Sequence, residues 1–187
     1  MLKKILLAAL LGGLAMFIWS FVVHSVLPIG EAGISTLPNE EIVLKSLKEN
    51  IPEKGFYFFP GMIEGTDEDT WMEKYKAGPV GIMMIHPAGR EPMMPSQLLL
   101  ELLSDIIVLI IAGFLLSKAL DKLPSFGSRV FFILLIGVIP FLVADFSYWN
   151  WYGFPAVYSL GQLTDQVIGF FLAGLIAAWK IKPALNQ

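Results

Sequence analysis

Nineteen consecutive residues, 5–23, carry a single polar side chain, Ser20. As a helix rising about 1.5 Å per residue, such a run is long enough to cross a hydrocarbon layer of roughly 30 Å, and it has almost nothing to offer water. Lys3 and Lys4 precede it. A signal peptide also begins with positive charge, but its apolar stretch is usually about 7–15 residues and ends in a small-residue cleavage site. Neither description fits here, so an uncleaved anchor is expected. Three further apolar segments come later in the chain, and the spans are placed at 5–24, 97–117, 130–149 and 156–179. The composition agrees: over the 187 residues, 56% of side chains are apolar and the mean hydropathy is +0.68. The expected architecture is an all-α membrane protein, a four-helix bundle with a small α+β domain over 25–95 inserted between helices 1 and 2.

Basic residues set the orientation, because Lys and Arg beside a span are retained on the cytoplasmic side. Lys3, Lys4, Lys118, Lys122, Arg129, Lys180 and Lys182 flank one set of span ends, against the single acid Asp121. Both termini are therefore expected in the cytoplasm of a bacterial cell, with the protein multi-pass in the inner membrane and residues 25–95 in the periplasm. The 72 residues 24–95 hold six basic and eleven acidic side chains, a net of −5, which the chain total of −3 conceals. So acidic an outer surface argues against nucleic acid as a partner.

Within the outer domain, Val43, Leu47 and Ile51 recur at helical spacing behind Glu40 and Glu41, with Asn39 as the expected cap and Pro52 and Gly55 as the stop. Residues 56–59 and 80–85 are aromatic, β-branched or apolar and bounded by Gly or Pro, which suits two paired strands joined through a Gly/Asp/Thr-rich turn region. About 70 residues make only a marginal core, so the domain is expected to lean on the helices or on a partner.

Acidic residues inside the spans are the strongest functional signal. Asp105 lies 13 residues from Lys118, Asp145 16 from Arg129 and Asp165 15 from Lys180. At about 1.5 Å per residue, three helices each place an acid roughly 20–24 Å above the basic anchors. A carboxylate at that depth is costly unless it faces the bundle, water or a partner. Glu101 shares a helical face with Asp105, and His24 and Arg90 are the available counter-charges. Gly13, Phe17, Ser20 and His24 follow helical spacing on the first span, as do Tyr158, Gln162, Asp165, Gly169 and Ala173 on the fourth. The expected ligand or ion pocket therefore comprises His24, Glu101, Asp105, Asp145, Asp165, Tyr158 and Gln162. Trp149 and Trp151, from the aromatic run 146–154, join it either as a platform for a flat ligand or as an interfacial belt. Pro140 is expected to kink the third span and open the pocket.

Other chemistry is sparse. Cysteine is absent, which excludes disulfides, thiolate metal sites and a thiol nucleophile. No nucleotide-binding glycine loop, serine elbow or HExxH motif occurs. Six of eight methionines fall in the outer domain, and Met84 with His86 forms a soft-donor pair that suits Cu(I), although methionine more often fills apolar gaps. No cofactor is identified. The leading expectation is a non-catalytic accessory or assembly subunit that binds another membrane or periplasmic protein, or itself, through the acidic domain. The alternatives are a small transporter or ion-coupled binding protein using the carboxylate/aromatic pocket, and a lipid-modifying enzyme at the same place.

Overall fold

The structure, a computed structural model, describes residues 1–183. The elements in chain order are α1 (Leu2–Ser25), α2 (Glu40–Asn50), β1 (Gly55–Phe59), α3 (Glu68–Ala77), β2 (Gly81–Ile85), α4 (Pro95–Lys118), α5 (Phe126–Pro140), a π turn (Phe141–Asp145), α6 (Phe146–Tyr152) and α7 (Ala156–Lys180). They fall into two units, Met1–Ile34 with Met93–Gln187, and Ser35–Pro92. The described chain is mostly helical. Four helical stretches are long and apolar enough to cross a membrane: Leu2–Ser25, Pro95–Lys118, Phe126–Tyr152 and Ala156–Lys180.

In the first unit, α4 and α5 each have a local reason to start. Pro95 opens α4 in its first turn, where Gln97 Oε1 accepts from the Met94 N–H at 3.0 Å. Ser125 caps α5 by accepting from the Ser128 N–H at 3.0 Å. The helices then pack in the order α4, α1, α7, α5, so α1 and α7 are the inner pair. Small residues make this possible. A Cβ on Gly13 would lie 2.9 Å from the Ile106 backbone nitrogen, so α1 and α4 touch almost main chain to main chain. Ala173, Gly174, Ala177 and Ala178 provide the equivalent seam on α7. Between the seams lie Leu109, Leu116, Ile133 and Ile181, fully enclosed. Large apolar side chains such as Leu10, Ile111, Phe131 and Leu135 are instead exposed on the outside of the bundle.

Arg129 departs from the sequence expectation. It is not a free basic anchor but a buried one, 6% exposed. Its Nε donates to the Ala178 carbonyl at 3.3 Å, near the C-terminus of α7, and Nη1 donates to the carbonyls of Leu123 and Pro124 at 3.2 and 2.8 Å. A guanidinium supplies several donors in a fixed plane, and here they tie the α4–α5 connection to the end of α7. Pro140 sits inside the third span. It ends α5 with helical backbone angles, and the helix runs on through the π turn into α6. Proline brings no N–H and crowds the preceding turn, and a widened turn absorbs that without breaking the rod.

After α1 the chain folds back over 26–34. The Gly30 N–H donates to the Val23 carbonyl at 3.3 Å, and a Cβ on Gly30 would sit 2.8 Å from His24 Cα. A Cβ on Gly161 of α7 would lie 3.0 Å from the Ile29 carbonyl, so this return loop rests directly on the helix.

The second unit contains a two-stranded antiparallel sheet in which Phe56 pairs with Met84 and Phe58 with Ile82. Asn39 stands at the N-cap of α2, but its backbone is left-handed (φ 52°) and its side chain makes no cap bond. The expected turn region between the strands contains α3 instead. Asp67 starts it, with Oδ1 accepting from the Thr70 N–H at 2.9 Å and Oδ2 from the Thr70 hydroxyl at 2.7 Å. Trp71 and Tyr75 lie one turn apart with their rings 5.3 Å apart, Tyr75 stacks with Phe58 of β1, and the Trp71 indole donates to the Pro60 carbonyl at 3.0 Å. That aromatic contact is the heart of the unit, and none of its described residues is fully buried.

Candidate functional site

Glu101 and Asp105, one turn apart on α4, and Asp165 on α7 line a single cavity of about 150 Å³. The gap between those helices is bridged by Trp19 and Ser20 of α1, and Gln166 of α7 completes the polar wall. The Trp19 indole donates to the Asp165 main-chain carbonyl at 3.1 Å, which fixes the distance between α1 and α7 at this level. His24 Nε2 stands 3.7 Å from Asp165 Oδ2. The imidazole is half-exposed, whereas the Asp165 side chain is largely covered. Asp105 Oδ2 and Gln166 Oε1 are enclosed and have no hydrogen-bond partner among the described residues. A buried acceptor left in that condition costs about 1–3 kcal/mol, which a bound donor would recover.

Asp145 does not reach the cavity wall. It ends the π turn, and its Oδ2 accepts from Gln166 Nε2 at 2.8 Å. Gln166 therefore links the third acidic position to the other two, with its amide group shared between Asp145 and the cavity. Sequence reasoning missed this residue, although it lies four positions after Gln162 on the same helical face. Trp19, buried in part beside Asp165, was likewise missed.

A larger cavity of about 380 Å³ adjoins the first, with Ser20 and Glu101 in the walls of both. Phe17, Phe21, Met93 and Leu98 make it largely apolar, and His24 contributes its imidazole. Together the two spaces have an apolar section beside the α1/α4 groove and an acidic section deeper between α4 and α7.

The remaining expected site residues lie elsewhere. Tyr158 packs its ring 5.4 Å from Phe154, and neither it nor Gln162 is on the wall of the carboxylate cavity. Trp149 packs against Phe146 at 5.3 Å and lines a separate apolar cavity, while Trp151 is 75% exposed. The aromatic platform thus does not face the carboxylates. Arg90 belongs to the second unit. In that unit Met84 and His86 line one groove of about 350 Å³ with Leu44 and Leu47. Among the described residues no three His, Asp or Glu side chains are gathered closely enough to hold a metal ion, the carboxylate cavity included.

Comparison with protein-family models, curated proteins and solved structures gives no match.

Proposed function

We propose that this is a multi-pass membrane protein that takes a proton or a small cationic group into the carboxylate cavity between α1, α4 and α7, as an ion-coupled transporter or binding protein does. The observation that carries the proposal is the convergence of Glu101, Asp105 and Asp165 on one cavity, with the His24 imidazole 3.7 Å from Asp165. Three acids against one imidazole favour positive charge, and a low-dielectric surrounding strengthens that preference. The exposed apolar side chains around the bundle are those a helix presents to lipid, and the excess of basic residues at one set of helix ends supports an orientation with both termini in the cytoplasm.

The test is reconstitution into liposomes carrying an entrapped pH-sensitive dye, with an imposed proton gradient and labelled organic ammonium ions outside. Asp105→Asn and Asp165→Asn should assemble like the parent and lose at least tenfold of proton-coupled uptake. If both variants match the parent in proton flux and ammonium binding, the cavity is not the working site.

A second reading, an accessory subunit, is favoured by one observation on the second unit. None of its described residues is fully buried, while Ile42, Phe56 and Met84 stand 72%, 67% and 77% exposed on a net acidic surface. Such a unit gains stability from a protein partner. Native mass spectrometry after gentle extraction distinguishes the readings: a stoichiometric protein partner, whether a second protein or a further copy of this chain, supports the subunit, and a lone chain removes it.

A further inference from the structure

Helices α1 and α4 touch almost main chain to main chain where Gly13 meets Ile106. Toward the C-terminal end of α1 and the N-terminal end of α4 the facing side chains are larger, and a groove of about 380 Å³ opens between them. Phe17 and Phe21, one turn apart on α1, make its apolar wall with Leu98 of α4 and Met93. Phe21, Leu98 and Met93 are exposed, so the groove is reached from the side, where the bundle presents apolar side chains. Its polar surface includes Glu101, an exposed residue that also lines the neighbouring cavity of about 150 Å³ together with Asp105 and Asp165. An apolar channel wall thus ends on a carboxylate with two further acids behind it.

We propose that the substrate is an amphiphilic amine, a protonated alkylamine whose ammonium group sits at Glu101 and whose apolar body lies along Phe17, Phe21 and Leu98. This inference rests on the reading of the carboxylate cavity as a cation site and names the class of cation. Size separates the two parts of the ligand. The acidic cavity has room for a small head alone, whereas the groove falls within the roughly 300–1,000 Å³ typical of sites for whole organic molecules. Charge selects the head. No Lys or Arg lines either space, so a phosphate or carboxylate would meet three acids with only the His24 imidazole to oppose them. An ammonium instead donates a charge-assisted hydrogen bond to Glu101. The chain of an ordinary phospholipid gains little by entering, because lipid tails are as apolar as the side chains of the wall. The head therefore decides which amphiphile stays in the groove.

The experiment uses the full chain in phosphatidylcholine nanodiscs and an octylamine carrying a photoreactive diazirine on its chain, with the matching octanol as the uncharged control. On irradiation the expected adducts fall within residues 17–21 and 93–98 and saturate with amine concentration. Excess octylammonium should suppress them about tenfold more effectively than octanol after correction for partition, the low end of a hydrogen bond to a charged group. Glu101→Gln should remove that preference, and Glu101→Asp should restore part of it. Equal labelling of the native chain by amine and alcohol overturns the proposal without any variant, because it marks a groove that any chain fills. So do adducts spread over the outward sides of all four long helices, or a co-purified phosphatidylethanolamine that octylammonium fails to displace. Proton-coupled uptake of ethylammonium separates this inference from the reading beneath it. If that uptake occurs and is lost in Asp105→Asn while the groove stays unlabelled, the carboxylate site stands and the amphiphile is wrong. If there is no such uptake and Asp105→Asn and Asp165→Asn match the parent in proton flux, the reading itself falls and this inference with it.

Discussion

The Asp67 carboxylate shows how much one residue does in the second unit. Two donors from Thr70, the backbone N–H first and the hydroxyl second, hold its carboxyl below the ordinary range. A depressed folded-state value means that the stabilisation is present above the unfolded value and lost as pH falls through the folded one. The first turn of α3 should therefore persist at neutral pH and loosen only in acid below the usual carboxylate range. Asp67→Ala should raise amide hydrogen exchange at Thr70 at neutral pH, while Asp67→Asn keeps an acceptor and most of the protection. Unchanged exchange in Asp67→Ala would mean that the Trp71 and Tyr75 contacts alone hold the helix. In the first unit the comparable residue is Arg129. Arg129→Ala leaves the Leu123, Pro124 and Ala178 carbonyls without their donor and should cost about 2–3 kcal/mol, read as a fall in the unfolding temperature in detergent. A shift no larger than that of a surface lysine variant would refute the clamp.

At the scale of elements, glycine substitutions probe the helix seams with opposite signs. Gly13→Ala forces a methyl against the Ile106 main chain and should destabilise by about 1–3 kcal/mol. Gly127→Ala, at the start of α5 with open space around it, should be neutral or stabilising by up to about 1 kcal/mol. Equal effects in thermal unfolding would argue against a close α1–α4 seam. The same seams explain which parts of the fold are legible in the sequence. Long, mostly apolar runs reveal four helices, because few water-soluble elements need so many apolar residues in close succession. Which helices touch is much less legible, since seams are made of Gly and Ala scattered among leucines that look alike on every face. Depth placed Asp105 and Asp165 at one level, but their meeting depends on helix rotation and on Trp19 spacing α1 from α7. Asp145 stops short of the cavity wall and accepts from Gln166 instead, and the aromatic run follows a π turn, a widening of the helix that no residue pattern in the sequence announces. Helix α3 was lost because its cap, Asp67 with Thr70, sits in a segment of Gly, Thr and Asp that reads as a turn.

For the whole molecule, the absence of cysteine makes orientation directly measurable. Single replacements Glu53→Cys and Ser125→Cys should react from opposite sides with a membrane-impermeant maleimide, Glu53→Cys in intact spheroplasts and Ser125→Cys only after the membrane is opened. Labelling of Ser125→Cys from outside with Glu53→Cys protected would reverse the charge-based topology, and labelling of both from outside would refute it. The order in which the helices pack also bears on how the chain is made. Helix α7 is synthesised after α1, α4 and α5, yet it is the helix against which both α1 and α5 pack, and it brings Asp165 and Gln166. Until it inserts, α1 and α4 can pair, but α5 has only a slight contact with α4 to hold it. The acidic chamber is therefore closed by the last of the four long helices to leave the ribosome, and a nascent chain halted before α7 should be open to membrane proteolysis while the finished one is protected.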